Sequence, residues 1–160
     1  MQNEAQRDKF TSAYSGLFYG IVSEEAYIQM TDLAARSGEK QSLEKEIEQV
    51  VEWFALETAR DGYQIFKFSP DEVKQKLMDI LAEVKARKSL SGSYPYTYVQ
   101  DRSNPQFIKL YDPLRSGGCG SQIAPDPWWV FSMITPEKVE IESLFGHLKK
   151  KKNIFFFRGL

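Results

Sequence analysis

Apolar residues recur at three-and-four spacing in several stretches of this chain, and between them lie shorter stretches in which side chains alternate. Phe10, Ala13, Tyr14, Leu17, Phe18 and Ile21 trace one helical face, which predicts an amphipathic N-terminal helix despite Gly16 and Gly20. Ser23-Glu24-Glu25 is a good helix start, with carboxylates at the positive end of the dipole. A second helix therefore carries Tyr27, Met30, Leu33 and Ala34 and stops at Ser37-Gly38. Leu43, Ile47, Val50, Val51, Phe54 and Thr58 form another stripe, predicting a third helix from Ser42 to Arg60 that Asp61-Gly62 ends.

The pattern then changes period. Tyr63 to Phe68 reads as a strand, and Ser69-Pro70-Asp71-Glu72 is a capping box with proline at the first helical position. The helix it opens buries Val73, Leu77, Ile80, Leu81 and Val84. Tyr94 to Asp101 and Gln106 to Tyr111 form the arms of a hairpin joined through Arg102-Ser103-Asn104-Pro105. Trp128 to Ile134 is a further strand, Thr135-Pro136-Glu137 begins a helix with Ile141, Leu144, Phe145 and Leu148 on its face, and Ile154 to Arg158 is a last strand.

The expected fold is α+β. A mixed sheet of about five strands in the order βα-ββ-βα-β, with a ferredoxin-like split βαβ arrangement as one topology, is joined by an N-terminal layer of three helices. At 160 residues the chain fits one domain, with 1–62 as the helical layer and 63–160 as the sheet and its crossover helices.

Aromatic residues make up 14% of the chain, so the core is expected to be rich in rings. Lysine plus arginine (21) nearly balances aspartate plus glutamate (22), and the net charge of −1 offers no global attraction to nucleic acid or anionic membrane. No apolar run approaches the ~20 residues of a membrane helix. The single cysteine forbids an internal disulfide, and the polar opening MQNEAQRDKF lacks the apolar segment of a secretion signal, so the expected compartment is the cytoplasm.

Chemistry-bearing residues concentrate between Tyr94 and Trp129, where tyrosines, a glycine cluster, Cys119 and two adjacent tryptophans meet. Gly117, Gly118 and Gly120 leave the Cys119 thiol accessible, and neighbouring N–H groups with Arg115 suit a small anion or a thiolate. A nucleophile also needs a base, and nothing in the sequence brings the lone His147 to Cys119. The glycines lack the Gly-Lys-Ser/Thr ending of a phosphate loop. Glu44, Glu48 and Glu52, four apart on the predicted third helix, make an acidic strip but not a metal site, and no cofactor is implied. Lys149 to Lys152 beside Phe155 to Phe157 is the one stretch suited to single-stranded nucleic acid, against the neutral overall charge.

Tyr96 and Tyr98 share one strand face, while Trp128 and Trp129 must point to opposite faces of a regular strand. If helices cover only one side of the sheet, one tryptophan is exposed. The reading that follows is a non-enzymatic protein-binding module, an accessory, inhibitor or immunity-type protein. Its contact surface would comprise Tyr96, Tyr98, Trp128, Trp129 and the loop of Arg115, Gly117, Gly118, Cys119 and Gly120. The partner would be another protein, with self-association as one form of that. A thiol-dependent enzyme or anion binder at Cys119 and Arg115 is the competing class.

Overall fold

The computed structural model describes residues 8–44, 51–87, 94–114 and 126–148, with side chains of 38–44 left aside. Its elements run α1 (Lys9–Tyr14), β1 (Tyr19–Ile21), α2 (Glu24–Glu44), β2 (Trp53–Ala59), β3 (Gly62–Phe68), α3 (Pro70–Ala86), β4 (Tyr96–Val99), β5 (Phe107–Tyr111), β6 (Trp129–Ser132) and α4 (Lys138–Phe145). The fold is α+β. One six-stranded sheet, in the order β1-β4-β5-β6-β2-β3, is antiparallel at every pairing among the described residues.

Side-chain alternation sorts the sheet into two faces, each with its own core. On one face Trp53, Ala55, Phe66, Phe68, Ile108, Leu110, Trp129 and Phe131 pack under Tyr27, Met30 and Ala34 of α2 and Val73, Leu77, Ile80 and Val84 of α3. The Tyr27 hydroxyl donates to Leu77 O at 2.6 Å, tying the two helices together. On the other face Phe54, Leu56, Ile65, Phe107 and Val130 pack under Phe10 of α1 and Ile141 and Phe145 of α4. Glu140, buried in α4, accepts from the Thr11 N–H at 2.7 Å and the Thr11 hydroxyl at 2.8 Å, which docks α1 against α4.

The β3–α3 unit forms as its sequence predicts. Ser69 Oγ accepts from the Glu72 N–H and the Glu72 carboxylate accepts from the Ser69 N–H, so both donors at the helix start are satisfied. The β4–β5 hairpin also forms, with Tyr98 opposite Lys109 and Tyr96 opposite Tyr111. Gln100 Oε1 holds its loop by accepting from the N–H groups of Gln106 and Phe107. The expected terminal strand from Ile154 to Arg158 lies outside the described residues.

Three expectations are corrected. The N-terminal helix ends at Tyr14, and Tyr19–Ile21 pairs with β4 as an edge strand. The second helix continues through Ser37-Gly38 to Glu44, and Ser37 sits inside it with its hydroxyl bonded back to Leu33 O. Most of the predicted third helix is instead β2, joined to β3 by a tight turn after which Gly62 takes φ 152°, a conformation open to glycine. β2 is seated between β3 and β6, and among the described residues no strand lies parallel to β3. Among the described residues the sheet thus has six strands, all antiparallel, and the mixed, ferredoxin-like order of five is not seen.

Candidate functional site

Both tryptophans of the predicted contact surface are buried, Trp128 at 6% exposure and Trp129 at 1%. Trp129 stacks on Phe131 and lies 5.5 Å from Phe66, within the α2–α3 core. Trp128 escapes the expected alternation because the ladder is irregular there. Its N–H donates to Leu110 O at 2.7 Å although Leu110 is in register with Trp129, so two residues oppose one, as in a bulge. The Trp128 ring joins the same core and lies under the Arg87 guanidinium, 4.9 Å from its centroid. Arg87 in turn is held by the buried Asp112 at 2.7 Å and by Glu83 at 3.1 Å. Both indoles are thus packed in the core, not exposed on a sheet face as expected of one of them.

The tyrosines behave differently. β4 alternates exposed and buried residues from Tyr96 to Val99, whereas β2 buries consecutive side chains from Trp53 to Leu56 on both of its faces. Helices α1 and α4 therefore cover the β2 half of their face and leave the β4 half open to water. Tyr96 and Tyr98 remain 40% and 41% exposed there, while Thr97 and Val99 point into the opposite core. Tyr98 meets Tyr111 edge to face at 5.7 Å, and its ring also lies against Gly20 of β1. A Cβ at Gly20 would sit 3.6 Å from the Tyr98 ring, an ordinary contact, so the missing side chain simply gives the ring room to lie there.

Lys109 occupies the border between the open and covered halves. Its Nζ lies 3.8 Å from the Tyr14 ring centroid and 4.1 Å from that of Phe18, and it donates to the Tyr14 carbonyl at 2.5 Å. That carbonyl belongs to the last residue of α1, where an acceptor lacks a partner within the helix. Partial burial disfavours the charged amine and lowers its pKa to about 8. Burial likewise raises the phenols of Tyr14 and Tyr111. The negative charge of Asp126 adds to both, after Tyr111 at Tyr14 and Tyr98 at Tyr111. Asp126 accepts from or bonds to His147 Nε2 through both oxygens, at 3.0 and 2.9 Å.

Sequence reading selected Tyr96 and Tyr98 for the surface and missed Lys109, Tyr111 and Tyr14 beside them. The available signal was the alternation Phe107, Lys109, Tyr111 on the same hairpin face as the two tyrosines. Arg115, Gly117, Gly118, Cys119 and Gly120 lie outside the described residues. Glu44, Glu48 and Glu52 do not share a helix: α2 is described as far as Glu44, Glu48 is outside the described residues, and Glu52 just precedes β2, 3.8 Å from Lys67. Among the described residues no three His, Cys, Asp or Glu side chains converge to hold a metal ion, and no helix is long and apolar enough to cross a membrane.

No protein-family model and no solved structure matches the chain. It is similar to a protein of Aquifex aeolicus (strain VF5) described as an uncharacterized protein, with 30% identity over 67 residues, 39% of this chain and 54% of the relative. The chain thus spans about half the length of the curated relative that it matches.

Proposed function

We propose that this chain is a non-enzymatic protein-binding module that meets its partner on the tyrosine face of β4 and β5. The observation carrying this reading is the exposure pattern of β4, which leaves two large rings partly exposed on a face whose β2 half is covered by helices. Tyrosine suits such a role because it offers broad apolar contact with a polar tip at small entropic cost. The rings stand on a hairpin backed by a continuous core, so little ordering is required when a partner docks.

Site-specific photo-crosslinking in the native cell tests this. A benzophenone amino acid replacing Tyr98 is expected to trap one dominant protein, and the same group replacing the exposed Lys74 on α3 should not trap it. Identical products from the two positions, or none from position 98, would remove the tyrosine face from consideration. A product of twice the chain mass would make the partner a second copy.

A further inference from the structure

The cation at the border of the tyrosine face lacks a counter-charge among the described residues. Arg87 shows what this fold does elsewhere with a partly buried cation, pairing it with two carboxylates. Lys109 has none within ion-pair distance among the described residues; its Nζ meets only the Tyr14 carbonyl and two ring faces. Removing an ammonium from water without a paired anion is costly, and the rings that exclude water also strengthen any charge that arrives. Across the ladder Lys109 stands opposite Tyr98, and Tyr111, two residues further on the same face, packs against that ring. The nearby acid, Asp126, is already engaged by His147. Tyr98, the cross-strand neighbour of Lys109, is itself exposed.

We propose that Lys109 recognises a carboxylate of the partner protein, which enters beside Tyr98 and pairs with the ammonium. The proposal rests on the reading of the tyrosine face as the contact surface and adds the chemistry that the face selects. An anion at this position compensates the desolvated charge, and the flanking rings favour a carboxylate carried next to aromatic or aliphatic side chains. The lysine would then have two attachments, α1 through the Tyr14 carbonyl and the partner through its carboxylate. A side-chain carboxylate and a chain-terminal carboxylate share this chemistry.

Three peptides separate the cases: acetyl-Gly-Phe-Glu-Phe-Gly-amide, its glutamine counterpart as the amide, and the glutamine counterpart with a free C-terminal carboxylate. The readout is the titration midpoint of Lys109 in protein whose lysines carry 13C-dimethyl groups, with the resonance assigned by its loss in Lys109→Arg. A carboxylate that pairs with the ammonium should raise the midpoint by about one unit, and the neutral peptide should not. Whichever acidic peptide produces the rise identifies the source of the carboxylate. Lys109→Arg should keep affinity within about threefold and Lys109→Gln should lose about tenfold. The proposal is overturned if neither acidic peptide moves the midpoint, if the neutral peptide moves it equally, or if Lys109→Gln binds as wild type does. Should Lys109→Gln not fold, the midpoint and the arginine variant decide. A crosslink at position 98 with an unmoved Lys109 sinks this inference alone; a moved Lys109 without any crosslink sinks the protein-binding reading and leaves carboxylate binding standing.

Discussion

Replacing Glu140 with glutamine should loosen the whole N-terminal attachment, because one buried carboxylate makes three hydrogen bonds across two elements. Oε2 accepts from the Thr11 N–H and hydroxyl, and Oε1 accepts from the Glu137 N–H at 3.0 Å. Glutamine keeps the shape but has one acceptor oxygen. It must surrender either the pair from Thr11 or the bond from Glu137, and its amide then faces a donor. Hydrogen bonds to a charged group are worth about 1.5–3 kcal/mol each, so Glu140→Gln should cost about 2–3 kcal/mol in denaturant unfolding at neutral pH. Burial alone would push this carboxyl up, but the hydrogen bonds from Glu137 and Thr11 outweigh burial and hold it below its ordinary value.

That direction sets the sign of the pH dependence. A carboxyl whose folded pKa is depressed contributes stability that is present above the unfolded value near 4.5 and lost as pH falls through the folded value. The gap between wild type and Glu140→Gln should therefore narrow on acidification below about pH 4.5. Hydrogen exchange should show where the loss falls: the Ser12 and Ser15 amides, bonded to Asp8 and Thr11 within α1, should lose protection before any strand does. A variant within about 0.5 kcal/mol of wild type, or a gap that does not change with pH, would refute the docking role of Glu140.

Three further predictions concern the cap, the core and the lysine. Ser69→Ala should destabilise by about 1 kcal/mol in urea unfolding, since it breaks a two-way capping box, and an unchanged midpoint would contradict that. Trp129→Ala should cost about 3–5 kcal/mol, and acrylamide should leave the wild-type emission of Trp53, Trp128 and Trp129 nearly unquenched; a fraction quenched as in a free indole would place one ring outside the core. Lys109, with a folded pKa of about 8 against 10.5, loses its proton first in the folded state, so stability should rise with pH between those values until the raised phenol of Tyr14 opposes it above about pH 10. Wild type should therefore gain stability relative to Lys109→Met from about pH 7.5 to about pH 9.5, and a flat difference would argue that the amine is not desolvated.

The elements legible in the sequence were those whose local chemistry and tertiary surroundings agree. Ser69 to Glu72 carries its own cap, α3 has one apolar stripe, and the β4–β5 hairpin has a turn cluster between arms of which one, β4, alternates exposed and buried residues. β2 was illegible for the opposite reason: buried on both faces, Trp53 to Leu56 shows no period of two, and Phe54 and Thr58 extended a helical stripe begun at Leu43. The three residues of β1 are too few to show a period at all. Pleat geometry located Tyr96 and Tyr98 correctly on one face. It failed at Trp128 because a ladder irregularity, set by the backbone contact with Leu110, has no marker in the residue itself. Lys109 could be recognised only once α1 and the segment after it had placed Tyr14 and Phe18 over it, a contact spanning most of the described chain.

Hydroxyl-radical footprinting of the native complex against the free protein probes the tyrosine face directly, because it reports each tyrosine separately. In the free chain Tyr96 and Tyr98 should be modified readily and the buried Tyr27 hardly at all. In the complex, Tyr96 and Tyr98 should become protected while exposed α3 positions such as Lys74 keep their accessibility to other labels. Tyr96 and Tyr98 remaining as reactive in the complex as in the free chain would contradict the assignment of this face as the contact surface.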